Sequence, residues 1–282
     1  MTLLLPAPPA FGYFVTNEDS PTGGQYGTSV PAPAGTNSKS AWVALLPTIS
    51  YDLYRHTISF SEVSASGASS RLLCDLGVGP DASNVTVIAE NLNGSNAAPH
   101  TQGGSVYHGW PLYVPAGTQL WARTQSNVAN QACRVHVSSW GAPDHAESWP
   151  KISFIEALGE STATTTGTAI TAGATGTLGT ATTLGGGFAN DVCGVGMSIG
   201  SDAAALSAVG YLGAIATDAT ATVQELGTVC THKNLSTVEA VRENHTMAWC
   251  DIPAGQTMSA RISCTGTSDG SMWAILYGFV RG

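Results

Sequence analysis

Gly196-Met197-Ser198-Ile199-Gly200 matches G-x-S-x-G, the pattern of a nucleophile elbow. In that setting Ser198 would attack an acyl carbon, with His232 or His245 as base and Asp251 or Asp218 orienting the base. An elbow requires a strand, a sharp turn and a helix in a βαβ chain. This chain shows no strand–helix alternation and no long amphipathic helix. With 33 Gly and abundant Ser, a chance match is expected. The stretch also aligns with Asp75-Leu76-Gly77-Val78-Gly79, which has no Ser. The sequence therefore predicts a structural Ser198, no catalytic residue and no enzyme.

Other groups that could do chemistry are scattered. Glu18-Asp19 is a solvated pair, and Asp75, Asp81 and Asp202 are read as turn residues rather than a carboxylate pair across a cleft. The seven histidines form neither H-x-H nor H-E-x-x-H, and no phosphate-binding or dinucleotide fingerprint is present. No metal and no cofactor is expected. The six cysteines (Cys74, Cys133, Cys193, Cys230, Cys250, Cys264) lack C-x-x-C spacing and read as mostly unbridged buried thiols. Tyr107, Trp110, Tyr113 and Trp140 are candidate ligand or interface aromatics, since such rings stack on a sugar face or fill a contact pocket.

Composition narrows the partners. Of 282 residues only 10% are charged, against about 25% in ordinary soluble proteins, and the formal net charge is −9. An acidic chain with three Lys is not built to coat nucleic acid. No run of 18 apolar residues suggests a membrane span, and Met1–Leu5 lacks a basic flank and breaks at Pro6, so no export signal is expected. A surface of hydroxyls and small residues favours association with other protein, so a homo-oligomer is expected.

The elements that must position these residues are short strands. Residues 54–60, 84–89, 119–124 and 133–137 alternate apolar and polar, with Gly79-Pro80-Asp81, Asn93-Gly94, Gly103-Gly104 and Pro115-Ala116-Gly117 as turns between them. Val114-Pro115-Ala116-Gly117 and Ala122-Arg123 recur as Ile252-Pro253-Ala254-Gly255 and Ala260-Arg261, a constant 138 residues later. Arg123 and Arg261 are thus repeat-equivalent, each expected to cover a sheet or pair with a carboxylate. Gly79–Ala82 resembles Gly200–Ala203 at a shorter offset, which places an insertion of 17 residues within 212–246. The predicted fold is all-β: two tandem antiparallel β-sandwich, jelly-roll-like domains after an extended Pro-rich N-terminal arm. The expected boundaries are an arm over 1–40, sandwiches over 41–145 and 167–282, and a linker over 146–166. Phe11, Tyr13, Phe14 and Tyr26 would bury the arm against a neighbour or the first sandwich.

Short Gly-Val-Gly loops, the Pro-Ala-Gly turn and the following Ala-Arg resemble β-sandwich virion proteins of tailed bacteriophages. That resemblance implies a structural subunit of the virion, a tail-tip, neck or head-attached appendage, assembled in the host cytoplasm. Its partners would be other copies of itself and other virion proteins. The rival expectation is an adhesin that binds a host surface glycan.

Overall fold

The computed structural model describes residues 13–17, 27–61, 71–95, 103–141, 151–164, 167–201, 211–216, 225–231, 243–244, 246–264 and 272–282. These residues are all-β. The first repeat contains β1 (Tyr13–Thr16), β2 (Thr28–Pro31), β3 (Val43–Leu46), β4 (Leu53–Ser61), β5 (Leu72–Gly79), β6 (Thr86–Ser95), β7 (Gly103–Trp110), β8 (Gln119–Ser126) and β9 (Ala132–Gly141). The second contains β10 (Ile152–Leu158), β11 (Thr168–Ile170), β12 (Thr182–Gly185), β13 (Val195–Ser201), β14 (Tyr211–Ala216), β15 (Glu225–Thr231), β16 (Glu243–Asn244), β17 (Thr246–Ala248), β18 (Met258–Cys264) and β19 (Met272–Arg281).

Strand pairing repeats element by element. In the first repeat β1 and β2 lie end to end along β9, which continues to β4 and β7; the facing sheet runs β6-β5-β8-β3. In the second, β10 and β11 lie along β19, followed by β13 and β17, opposite β15-β14-β18-β12. Counting each end-to-end pair as one split strand, both repeats have jelly-roll order: first, last, third and sixth strands in one sheet, second, seventh, fourth and fifth in the other. The turns match atom for atom. Asp52 Oδ1 accepts from Ala116 N at 2.8 Å, and Asp191 Oδ1 accepts from Ala254 N at 2.8 Å. Gly117 and Gly255 close these turns at φ +82° and +73°, a region open to glycine at no steric cost. Asp52→Ala and Asp191→Ala are each expected to cost about 1 kcal/mol, the usual value of a lost turn-capping bond, measurable by urea denaturation.

Four expectations are corrected here. Residues 13–16 and 28–31, placed in an arm, are strands of the first sandwich. Val30 is fully buried in its core, while Pro31 and Pro33 fall at and beyond the strand end, where no ladder N–H is needed. Phe11 and Tyr26 lie outside the described residues. Residues 152–158, placed in a linker, are β10, so the repeats span 13–141 and 152–281. The alignment of Gly79 with Gly200 fails, because β5 corresponds to β14 and Gly200 stands on β13, the counterpart of β4. The 17-residue insertion disappears with it, and Ser198 corresponds to Ser59. Asn93-Gly94 and Gly103-Gly104 are strand, not turn. A side chain on Gly94 would meet Leu72 and Phe60, so that glycine serves close packing.

The repeats are fused. β10 pairs in parallel with β6 through Ile155 and Ala89, which joins one sheet of each repeat into a single nine-stranded sheet. One core cluster contains Leu76, Tyr107 and Trp110 from the first repeat with Ile155, Ile275, Tyr277 and Phe279 from the second. A separate cluster around Phe188, Met197 and Leu276 belongs to the second repeat.

Within the first core His56 is 1% exposed, and burial pushes its imidazole pKa down to about 4. Nε2 lies 2.8 Å from the Leu112 carbonyl, which can only accept, so Nε2 carries the proton and Nδ1 accepts from Ser139 Oγ at 2.8 Å. The unfolded chain binds this proton near pH 6.5 and the folded chain only near 4. The stabilisation from neutral His56 is therefore complete above 6.5 and is lost as pH falls toward 4. From pH 7.5 to pH 5 the loss is expected to be about 2 kcal/mol. His56→Gln should flatten that part of the stability–pH curve.

Candidate functional site

The serine of the G-x-S-x-G match is fully buried, and its Oγ accepts from Asn93 Nδ2 at 3.1 Å. Around it runs a polar seam between the repeats. Asn93 N donates to Tyr277 Oη at 2.8 Å, Tyr107 Oη donates to the Asn93 carbonyl at 2.9 Å, and Tyr277 Oη donates to the Asn91 carbonyl at 3.1 Å. The seam pairs most of these polar groups in a low-dielectric junction, leaving the buried Asn93 Oδ1 without a hydrogen-bond partner among the described residues, and fixes how the sheets meet. His232, His245 and Asp218 lie outside the described residues. Asp251 is exposed and reaches Arg281 at 4.0 Å, at the rim of an open cleft of about 630 Å³.

A second cluster was not legible as a site. Asp75, read as a turn residue, stands in the middle of β5 with its side chain 1% exposed. Lys39 Nζ lies 2.6 and 2.7 Å from its two oxygens, Arg123 Nε lies at 2.8 Å, and Asn91 N donates to it at 3.0 Å. Asn91, at φ 49°, also takes a hydrogen bond from Gln125 at 3.0 Å, and Gln125 reaches the Ser161 carbonyl. Trp42 roofs the cluster, 4.5 Å from the Arg123 guanidinium. The one trace of it in the sequence is a lone carboxylate within the apolar run Leu72-Leu73-Cys74-Asp75-Leu76. Arg261 stands on the equivalent strand, but its register partner is Ala214 where Arg123 has Asp75. The second repeat thus has no carboxylate at the register position of Asp75. Among the described residues no group of three or more His, Cys, Asp or Glu could hold a metal ion. Cys74, Cys133, Cys193 and Cys250 are free, and burial pushes the Cys74 and Cys133 thiols up, the latter to about 12. Cys230 and Cys264 lie outside the described side chains.

The four candidate ligand or interface aromatics separate. Tyr107 and Trp110 are fully buried, edge-on to each other at 4.7 Å, and Trp110 meets Tyr277 at 5.1 Å and Phe279 at 5.4 Å. These two cannot touch a ligand from solvent; they build the junction of the repeats. Tyr113 donates to Asp52 at 3.1 Å beneath the Lys151 ammonium, 4.9 Å from its ring. Trp140 remains at the surface, 37% exposed, with Phe14 beside it at 5.5 Å and 56% exposed. Phe14, Trp140 and Arg55 are cross-strand neighbours on the outer face of the β1-β9-β4 sheet, and the next row is Thr16, Ser138 and Thr57. Tyr13, one residue from Phe14, points the other way and stacks on Tyr51 at 3.5 Å. Among the described residues the exposed Phe14–Trp140 pair is an apolar patch on a hydroxyl-rich sheet face, suited to a partner.

No protein-family model matches the chain, and no curated protein matches it. Among solved structures the chain is similar to one from the atomic structure of Sulfolobus turreted icosahedral virus, with a TM-score of 0.36 and 6% identity over 96% of this chain and 90% of that one. It is also similar to the N-terminal CBM22-1–CBM22-2 tandem domain of Paenibacillus barcinonensis Xyn10C, with a TM-score of 0.31 and 10% identity over 96% of this chain and 90% of that one.

Proposed function

We propose that the chain is a non-enzymatic structural subunit of a phage particle, a tail-tip, neck or head-attached appendage or decoration protein. It would assemble with copies of itself and other virion proteins in the host cytoplasm and act in the virion. The observation that carries this reading is the fusion of two jelly rolls through one sheet and one core. Among the described residues such a unit joins its two halves by a continuous sheet and a shared core. Side chains with catalytic potential support the reading by their placement: Ser198, His56 and Cys74 are sealed in the core. The low charge of the chain supports it as well, since a weakly charged surface does little to oppose contact between copies.

A glycan-binding adhesin is the second reading, and the exposed Phe14–Trp140 pair beside Thr16 and Ser138 favours it. Sedimentation velocity and glycan-array binding on the full chain separate the two. The subunit reading expects a defined oligomer whose population grows with protein concentration, and a silent array. A monomer at every concentration with saturable, Trp140-dependent glycan binding would reverse the order.

A further inference from the structure

The two repeats place equivalent surfaces in different surroundings. β10 stands on β19 as β1 stands on β9, so that Ile155 opposite Phe279 corresponds to Phe14 opposite Trp140. Ile155 and Phe279 are fully buried because the first repeat covers that face, whereas Phe14 and Trp140 are 56% and 37% exposed. β6 joins that sheet edge-on, its Ala89 pairing in parallel with Ile155, and Trp110 of the same repeat packs over Phe279. The register identifies the counterpart of β6. Leu76 faces Ala122 and Ala89, and Ile215 faces Ala260 and Gly227, so Gly227 on β15 holds the place of Ala89.

We infer that a second copy of this chain docks head to tail, its β15 lying parallel to β1 with Gly227 opposite Phe14, and that this contact covers Phe14 and Trp140. The inference deepens the proposed role as an assembly subunit and rests on it. Among the described residues β1 and β15 each stand at the end of their sheet's strand order, and an end strand presents backbone N–H and C=O groups to whatever docks beside it. Side-chain size is redistributed to match. Trp110, which packs on Phe279, lies opposite His56; the counterpart pair is Ala248 opposite Val195. The covering side thus loses a Trp where the receiving side gains, from Ile155 and Phe279 to Phe14 and Trp140. The two contacting surfaces lie in different repeats, so the interface is heterologous and propagates to a ring or a filament.

The test mixes the full chain carrying Phe14→Cys with the full chain carrying Gly227→Cys under mild oxidation, with the disulfide-linked peptides mapped by mass spectrometry. Expected is a link between positions 14 and 227 in the mixture and in neither variant alone. In parallel, Phe14→Ala/Trp140→Ala, which removes only exposed rings, should weaken self-association by at least about tenfold with an unchanged melting temperature. That second arm decides the matter if Gly227→Cys does not fold. Self-linking of Phe14→Cys would show a two-fold contact and overturn the inference. Oligomers that neither cross-link nor respond to the double substitution would overturn it while leaving the assembly role intact. A strictly monomeric chain would overturn both, as would glycan binding lost in the double variant of such a monomer.

Discussion

Trp110→Ala is expected to lower the unfolding free energy of the whole chain by about 4 kcal/mol, within the range for a buried aromatic truncated in a core that relaxes only partly. Trp110 is fully buried at the end of β7 and meets Tyr107 from its own repeat and Tyr277 and Phe279 from the other. The cavity opens where the two jelly rolls share their core, so near-ultraviolet signals from both repeats should shift together. Chemical denaturation followed by circular dichroism measures the loss. A cost below about 1 kcal/mol, a value typical of surface positions, would mean that the junction is not packed as described.

Asp75→Ala should cost about 3 kcal/mol, the lower end of the range for breaking a buried ion pair. The carboxylate is 1% exposed, while the Lys39 and Arg123 side chains are 31% and 27% exposed. Both cations therefore recover some water when their partner is removed, which limits the penalty. Asp75→Asn keeps an acceptor for Asn91 N and should cost less than Asp75→Ala. A double-mutant cycle with Lys39→Met isolates the ion pair. Equal stability of wild type and Asp75→Ala in urea titrations would contradict the buried cluster.

Much of the architecture was written in local pattern. The alternation of Thr57, Ser59 and Ser61 with Ile58 and Phe60 marks β4 as a half-buried strand, and the repeated Pro-Ala-Gly before Ala-Arg locates two equivalent turns. Other strands carry no such signal. β5 is buried on nearly every residue, with Trp42 against Gly77 and Lys39 and Arg123 over Asp75, so period-two alternation is erased and Gly77-Val78-Gly79 does not reveal its place in the sheet. β1 and β10 were assigned to an arm and a linker because their neighbourhoods are rich in Pro or in Gly and Thr; their pairing with β9 and β19 is long-range. The polar seam joins Asn93 to Tyr277 across 184 residues, a distance no spacing rule covers. Trp140 and Phe14 could be named from residue type alone, but their adjacency and exposure follow from register, as does the separation of Trp110 from them.

Differential scanning calorimetry of the full chain tests most directly whether the two jelly rolls are one unit. The shared core and continuous sheet predict a single transition in which the calorimetric and van't Hoff enthalpies agree. Two resolved transitions, or a calorimetric enthalpy about twice the van't Hoff value, would mean that each repeat unfolds alone and would contradict the fused block on which the functional reading rests.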